Sequence, residues 1–256
     1  MNKYVVLSFI RRVGLIQIAD YVRFLVNYAV TFRSRRAFLK RNPGVVLPPA
    51  YYLYETFNLN YESFYLKSRD TAQWLVSHIA AFEQFDNRKI LEWGCGPGRV
   101  IRHLPGILPS SCQFYGTDYN AKYIEWCRKN LKNIAFFENG PEPPLPFPDN
   151  FFDIIYSISV FTHLSLKSHY SWFDELERVA KDGGILFFTV HGEVFKEKLT
   201  DSEKKLFERG ELVTKAGTKE GHRTFAAFQP PSFIRQLVKD HQILAHHPGV
   251  KENGIP

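Results

Sequence analysis

Lys89-Ile-Leu-Glu-Trp-Gly-Cys-Gly-Pro-Gly98 decides how the rest of this 256-residue chain is read. Ile90 and Leu91 form a short apolar run of the kind buried on both faces of a parallel sheet. Glu92 stands at its end, and Gly94, Gly96 and Gly98 alternate with Trp93, Cys95 and Pro97. Arg99-Val-Ile-Arg-His-Leu104 then reads as the opening of a helix. A glycine-rich turn from strand to helix lets a ligand approach the backbone closely, and the helix start offers free N–H groups.

Downstream, strand and helix patterns alternate, which implies βαβ units and a parallel sheet. Strands are expected at 89–93, 113–118, 134–137, 152–157 and 185–190, and helices at about 98–104, 120–130 and 167–180, the last ended by Asp182-Gly183-Gly184. Residues 192–229 read as a long polar insertion, in which Leu212-Val213 and Thr224–Phe228 pair as a hairpin around Gly217 and Gly221. Pro230-Pro231 opens a short helix to about 239, and Gln242-Ile-Leu-Ala245 reads as a last weak strand.

Upstream, apolar residues recur every three or four positions over 4–32, which predicts a helix. Arg11, Arg12, Asp20 and Arg23 interrupt it, so it holds no run long enough to span a bilayer. Tyr51 to Tyr65 is dense in aromatics, either a lid over a pocket or ordinary packing, and Asp70–Phe85 is a helix candidate. The chain is therefore expected to divide into a helical, basic extension or lid, 1–68, and a sheet domain, 69–256.

The net charge of +7 belongs to the first part. Residues 1–41 hold nine Lys or Arg against one acid, Asp20. A solvated patch or a helix packed on its own domain or a second subunit would account for this, and so would peripheral contact with an anionic membrane surface. The three cysteines, Cys95, Cys112 and Cys127, include no C-x-x-C pair, so neither a disulfide framework nor a zinc site is signalled. A reducing, cytoplasmic location is the simplest expectation.

A dinucleotide fingerprint requires G-x-G-x-x-G. Counted from Gly94 the third glycine falls on Arg99, and counted from Gly96 it falls on Ile101, so both readings fail. What is present is E-x-G-x-G-x-G, with an acid suited to a cationic ligand. Asp118 ends Phe114-Tyr-Gly-Thr-Asp118, where a carboxylate can take both ribose hydroxyls, or alternatively cap the helix near Asn120. A ribose, a cationic end and a parallel sheet point to S-adenosylmethionine.

Four segments in order carry a family resemblance: Leu91-Glu-Trp-Gly-Cys-Gly-Pro-Gly98, Tyr115-Gly-Thr-Asp118, Leu145-Pro-Phe-Pro-Asp-Asn-Phe-Phe-Asp-Ile-Ile-Tyr156 and Leu176-Glu-Arg-Val-Ala-Lys-Asp-Gly-Gly184. About two-fifths of the chain resembles a class I S-adenosylmethionine-dependent methyltransferase. The resemblance implies an α/β, Rossmann-like sheet of order 3-2-1-4-5-7-6 with strand 7 antiparallel. It implies S-adenosyl-L-methionine as cofactor, S-adenosyl-L-homocysteine as product, and no metal. By carry-over, Gly94, Cys95, Gly96 and Gly98 hold the methionine moiety and ribose, Asp118 the ribose, and Tyr119 packs on the adenine; Glu92 stands where it could orient the cationic ligand directly or through water. Asn139 and Gly140 meet the adenine edge, with Asn139 where the family usually has an acid. Ser157 and Ile158 approach the methionine end, and Arg69 is a weaker candidate for its carboxylate. The family's last strand should follow Asn253-Gly-Ile-Pro256, so a truncated C-terminus or a sheet one strand short is expected.

For the acceptor, His163 in Val160-Phe-Thr-His163 follows the fourth strand and is the candidate general base, with His191, after the fifth, a lesser one. Phe161 either walls the acceptor pocket or belongs to the core. Ser157-Ile-Ser-Val160 lacks the Asn/Asp-Pro-Pro-Tyr/Phe motif of enzymes that methylate exocyclic amines of bases, and no Pro-Cys pair suggests cytosine C5 chemistry. The expectation is O- or N-methylation of a small-molecule or carbohydrate-like acceptor. Nucleic acid is not the favoured partner, and a homo-oligomer stays open. The other readings are an RNA methyltransferase using the basic N-terminus, and a non-catalytic cofactor-binding scaffold.

Overall fold

A computed structural model describes residues 16–215, 220–221 and 225–249. The chain divides into two compact units, Met1–Ser68 and Arg69–Pro256.

The first unit contains α1 (Ile16–Val30), α2 (Phe32–Arg41), α3 (Ala50–Phe57) and the start of α4 (Tyr61–Ile79). Residues 4–15 of the expected N-terminal helix lie outside the described residues. Phe38, Leu53, Tyr54, Leu59, Tyr61 and Phe64 form this unit's core, so these aromatics of the Tyr51–Tyr65 stretch serve packing. Helix α4 begins nine residues before the Asp70 start read from the sequence and ends at Ile79, short of Phe85. Asn58 and Leu59, both in the left-handed region at φ 47° and 66°, break the chain between α3 and α4.

The second unit is organised by a parallel sheet of order β3-β2-β1-β4-β5, with β1 at Lys89–Trp93, β2 at Gln113–Asp118, β3 at Ala135–Glu138, β4 at Phe152–Ser157 and β5 at Ala180–Phe188. Alternation of side chains across the pleat sorts neighbours to opposite faces. Ile90, Phe114, Phe136 and Ile154 face one core with α4 and α5 (Ala121–Asn130). Leu91, Tyr115, Phe137 and Ile155 face the other, with α6 (Leu166–Val179). Both faces are covered, which is why these strands read as unbroken apolar runs. Arg178 of α6 donates to Glu175, Asp149 and the carbonyls of Leu145 and Phe147, which ties the segment before β4 to the helix.

Several expectations are corrected. The turn after the glycines leads into a 3-10 segment, Ile101–Gly106, that contains Pro105. Helix α6 ends at Val179, and Asp182-Gly183-Gly184 lies within β5 instead of ending the helix, because Phe152 already pairs with Ala180. The expected hairpin is present as β6 (Val213–Lys215) antiparallel to β7 (Ala226–Phe228), but it is a separate ribbon and does not extend the five-stranded sheet. The insertion also contains α7 (Asp201–Glu208), opened by a capping box between Thr200 and Glu203. Helix α8 (Pro231–Leu237) follows as read. Residues 242–245 form no strand, and Ile243 and Leu244 are exposed. Residues 250–256, where a last strand bears on the expectation, lie outside the described residues.

Phe152, fully buried, touches Phe147, Phe151 and Tyr115 edge-on. Phe152→Ala is expected to cost about 3–5 kcal/mol by leaving a cavity among these rings. A denaturant midpoint equal to the wild type's would remove Phe152 from the core that supports the sheet.

Candidate functional site

All five strands run the same way, so their carboxyl ends Trp93, Asp118, Glu138, Ser157 and Phe188 gather along one edge of the sheet. Chain order reverses between β1 and β4, and ligands of open α/β sheets bind outside such a switch point. The glycine turn lies there.

The turn is held from behind by β2. The Thr117 carbonyl accepts from Gly94 N and Cys95 N, each at 2.8 Å. Asp118 Oδ2 accepts from Gly96 N and Oδ1 from Asn120 N, both at 2.8 Å. Gly98 N donates to the Cys95 carbonyl, and Ile101 N to Glu92 Oε2 at 3.0 Å. Five N–H groups of this turn, those of Gly94, Cys95, Gly96, Gly98 and Ile101, are therefore already donated within the protein. Such a turn is a poor phosphate cradle and suits a ligand held by shape and by acceptors.

Two glycines matter for conformation. Gly94, at φ +74°, would place a Cβ 2.3 Å from Val160 Cγ2. Gly96, at φ +53°, faces open space, so it alone leaves room for a ligand against its backbone. Cys95 is buried, and its thiol, raised well above the ordinary value by burial, points to the Gly96 carbonyl.

Glu92 is buried at the end of β1, opposite Tyr156 of β4. Its Oε2 takes Ile101 N and the Tyr156 hydroxyl at 3.1 Å. Burial pushes its pKa up to about 8, although Arg99, Tyr156 and Ile101 N pull the other way. Asp118 is pushed up to about 6 by the same cause, against its two backbone donors.

At the strand ends lie buried oxygens with no hydrogen-bond partner among the described residues: Thr117 Oγ1, Asn139 Oδ1 and Ser157 Oγ. Leaving such an atom unpaired costs about 1–3 kcal/mol, so its presence at a ligand-binding edge asks for a ligand donor. Asn139 Nδ2 donates to the Gly140 carbonyl at 2.7 Å, which turns Oδ1 the other way. Tyr119 is half-exposed after β2, and its hydroxyl donates to the Gly221 carbonyl at 3.3 Å. Ile158 packs partly buried beside the β4 core. Arg69 is exposed on α4, and nothing described joins it to the glycine turn.

His163 and His191 are both brought to the second strand of the expected hairpin, β7 and the residue before it. The Nδ1–H of His163 donates to the Phe225 carbonyl at 2.7 Å, and that of His191 to the Ala227 carbonyl at 3.1 Å. Burial holds His191 down at about 4, with His163 and Lys198 nearby acting the same way. The buried Gln229 amide fixes the arrangement: Oε1 accepts from His191 N, and Nε2 donates to the Phe161 carbonyl and His169 Nε2. Phe161 itself is fully buried and in edge contact with Trp93, so it belongs to the core. Sequence reading missed Gln229 and Tyr156. Tyr156 was discoverable from the β1–β4 adjacency that the expected strand order contains; no local signal marks Gln229.

The strand order, the glycine turn and the acid at the end of β2 define a Rossmann-like fold of the class I methyltransferase type. Residues 91–188 match the family described as a methyltransferase domain, and this segment is such a domain. An uncharacterized methyltransferase of Schizosaccharomyces pombe is 33% identical over 107 residues, 38% of this chain and 38% of that protein. The sterol 24-C-methyltransferase of the same yeast is 32% identical over 103 residues, covering 38% of this chain and 26% of the enzyme. A malonyl acyl-carrier-protein O-methyltransferase of Legionella pneumophila is 33% identical over 116 residues, 44% of this chain and 40% of that protein. The chain thus spans less than half the length of these curated relatives. Among solved structures, PH0226 from Pyrococcus horikoshii OT3 is similar with a TM-score of 0.48 at 18% identity, over 73% of this chain and 87% of that one. The DhpI–SAH complex gives 0.45 at 18% identity, over 74% and 82%.

The buried acids generate a pH dependence. Glu92 and Asp118 hold protons in the folded, ligand-free protein that the unfolded chain has already released, so stability falls as pH rises from the ordinary carboxylate range through about 8. Glu92→Gln removes the larger share, on the order of a few kcal/mol. Denaturant midpoints at pH 5 and pH 8 should lie closer together in this variant than in the wild type. Equal pH slopes would mean that Glu92 is already ionised when folded.

Proposed function

We propose that this protein transfers a methyl group from S-adenosylmethionine to a small-molecule or carbohydrate-like acceptor, on oxygen or nitrogen. The reading is carried by the order of acceptors along the strand ends: the Asp118 carboxylate after β2, then the unpartnered Asn139 Oδ1 after β3. A nucleoside presents ribose hydroxyls and then an adenine amino group in the same order, and every one of those groups is a donor.

When bound, the cofactor supplies an electrophilic methyl group on a sulfonium. The protein's own residues supply position. Asp118 takes the ribose hydroxyls through lone pairs left over from its backbone donors. Asn139 Oδ1 accepts from the adenine amino group, with Gly140 beside it, and Tyr119 flanks the ring. Gly96 opens the backbone to the ligand, while Gly94, Cys95, Gly98 and Glu92 keep the turn in shape. Ser157 and Ile158 line the methionine end. Arg69 remains the weaker candidate for its carboxylate.

The histidine pair supports a protic acceptor. Because Nδ1 of each ring donates to a carbonyl, the lone pair of each lies on Nε2. Phe225 and Ala227 are two residues apart, so their carbonyls leave one strand edge about 7 Å from each other. The two imidazoles are near enough for His163 to help lower the pKa of His191. His163 takes the acceptor's proton as general base. His191, held neutral at pH 7, accepts a hydrogen bond and orients the acceptor. Two ring nitrogens with lone pairs select O–H or N–H groups over anions.

Asp118→Ala should weaken S-adenosylmethionine binding at least tenfold by calorimetry, and Asn139→Ala by roughly fivefold. Unchanged affinity in the first variant would remove the ribose assignment. His163→Ala should lower turnover by about two to four orders of magnitude with cofactor affinity intact. The assay is transfer of labelled methyl from the cofactor into the small-molecule fraction of a cell extract, followed by mass identification. Label recovered in RNA instead would replace the acceptor class proposed.

A further inference from the structure

Helix α1 is built inside out. Its inward-turned positions, Asp20, Phe24 and Asn27, continued by Thr31, are mostly polar. Asp20 and Thr31 are satisfied within the first unit. Asp20 Oδ1 accepts from the Tyr54 hydroxyl at 2.8 Å, the Asn27 carbonyl accepts from Thr31 Oγ1 at 2.6 Å, and Thr31 Oγ1 in turn accepts from Arg35 Nε at 3.1 Å. Phe24 meets Tyr51 and Tyr54 edge-on. The opposite side carries Ile18, Tyr21, Val22, Leu25 and Val26, continued by Phe32, each between 48% and 63% exposed. These recur at three- and four-residue intervals, so they form one stripe along the helix. A helix that faces water on its surface normally shows the reverse order, and a contiguous exposed apolar stripe marks an interaction site.

The charges beside the stripe are of one sign. Arg23, Arg33, Arg36 and Lys40 are exposed, and residues 16–41 contain no acid except Asp20, which is turned inward onto Tyr54. No described helix is long and apolar enough to cross a membrane. We infer that α1 and the start of α2 lie on an anionic lipid bilayer, the apolar stripe seated at the headgroup–acyl boundary and the arginines on lipid phosphates. This surface offers both things the helix lacks, an apolar medium and negative charge. A second copy of the chain would bring the same cations face to face, and like charges set against each other oppose association. The inference is independent of the methyl-transfer reading.

The test is co-sedimentation of the full chain with vesicles of phosphatidylcholine alone and with about a third phosphatidylserine. Binding is expected on the anionic vesicles and weak on the neutral ones, and should fall with added salt. Replacing Val22, Leu25 and Val26 together by Gln should lower anionic-vesicle binding at least tenfold while the melting temperature is retained, since all three side chains are exposed. Arg33→Glu and Arg36→Glu should each lower it roughly fivefold and leave the weak neutral binding unchanged. These substitutions sit on exposed positions of the first unit, so cofactor affinity serves as a folding control. Wild-type protein that ignores anionic vesicles would overturn the inference. So would a concentration-dependent dimer in sedimentation velocity that the Gln substitutions abolish, which would make the stripe a protein interface.

Discussion

The constraint on which this site depends is the fastening of the glycine turn to the end of β2. One carbonyl, that of Thr117, accepts two successive N–H groups, and the next residue, Asp118, accepts a third. The turn thus keeps its left-handed residues without a ligand to brace it. Burying a carboxylate costs several kcal/mol unless donors compensate. Here two backbone donors compensate only in part, because Asp118 still sits above its ordinary range, at about 6. A carboxylate has more acceptor capacity than two bonds use. Incoming hydroxyl donors would therefore relieve a strain already present, and binding and local stability become two aspects of one deficit.

Glu92 has a structural part beside the candidate ligand contact that its position suggests. An acid before a glycine turn invites the reading of a direct ligand contact. In the folded chain its Oε2 is occupied by Ile101 N and the Tyr156 hydroxyl, behind the turn. It joins β1, β4 and the first residue of the 3-10 segment at one atom. The side chain thereby fixes the backbone where the turn meets β1 and β4.

How much of this is legible in the sequence varies with the kind of signal. The strands of the sheet were readable because Ile90-Leu91, Ile154-Ile155 and their neighbours are covered on both faces and bounded by glycine or aspartate. The start of α4 was not, because the aromatics of Tyr51–Tyr65 conceal a helical break made by Asn58 and Leu59 in an unusual backbone conformation. Gln242–Ala245 looked like a strand by composition, but it pairs with no strand among the described residues and leaves Ile243 and Leu244 in solvent. The candidate cofactor positions at Asp118, Asn139 and Ser157 were readable as strand ends. That the N–H groups of the turn were already donated was not readable, since hydrogen-bond partners 22 residues apart, such as Gly96 and Asp118, leave no local trace. The tautomers of His163 and His191 were hidden for the same reason, resting on contacts 62 and 36 residues away.

The two halves of the site rest on unequal foundations. The cofactor half hangs from a sheet buried on both faces, with fully buried Leu91, Ile90 and Phe152 in its strands. The proposed acceptor half borrows the edge of β7, in a three-residue ribbon with its own small core of Leu199, Phe207, Val213 and Phe228. A short isolated ribbon is marginal by itself. It is tied to the sheet by the ring donors of His163 and His191 and by the buried amide of Gln229, which joins the 3-10 turn of Phe161–His163, α6 and His191 in the loop after β5. All its polar atoms are matched, so the junction is specific as well as tight. On the proposed reading, a change of acceptor among related chains could be made in the insertion, where loop length and a few side chains suffice, without disturbing the turn and acid proposed to hold the donor. The same separation explains why the Lys89–Gly98 stretch identifies the fold so readily and says so little about what is methylated.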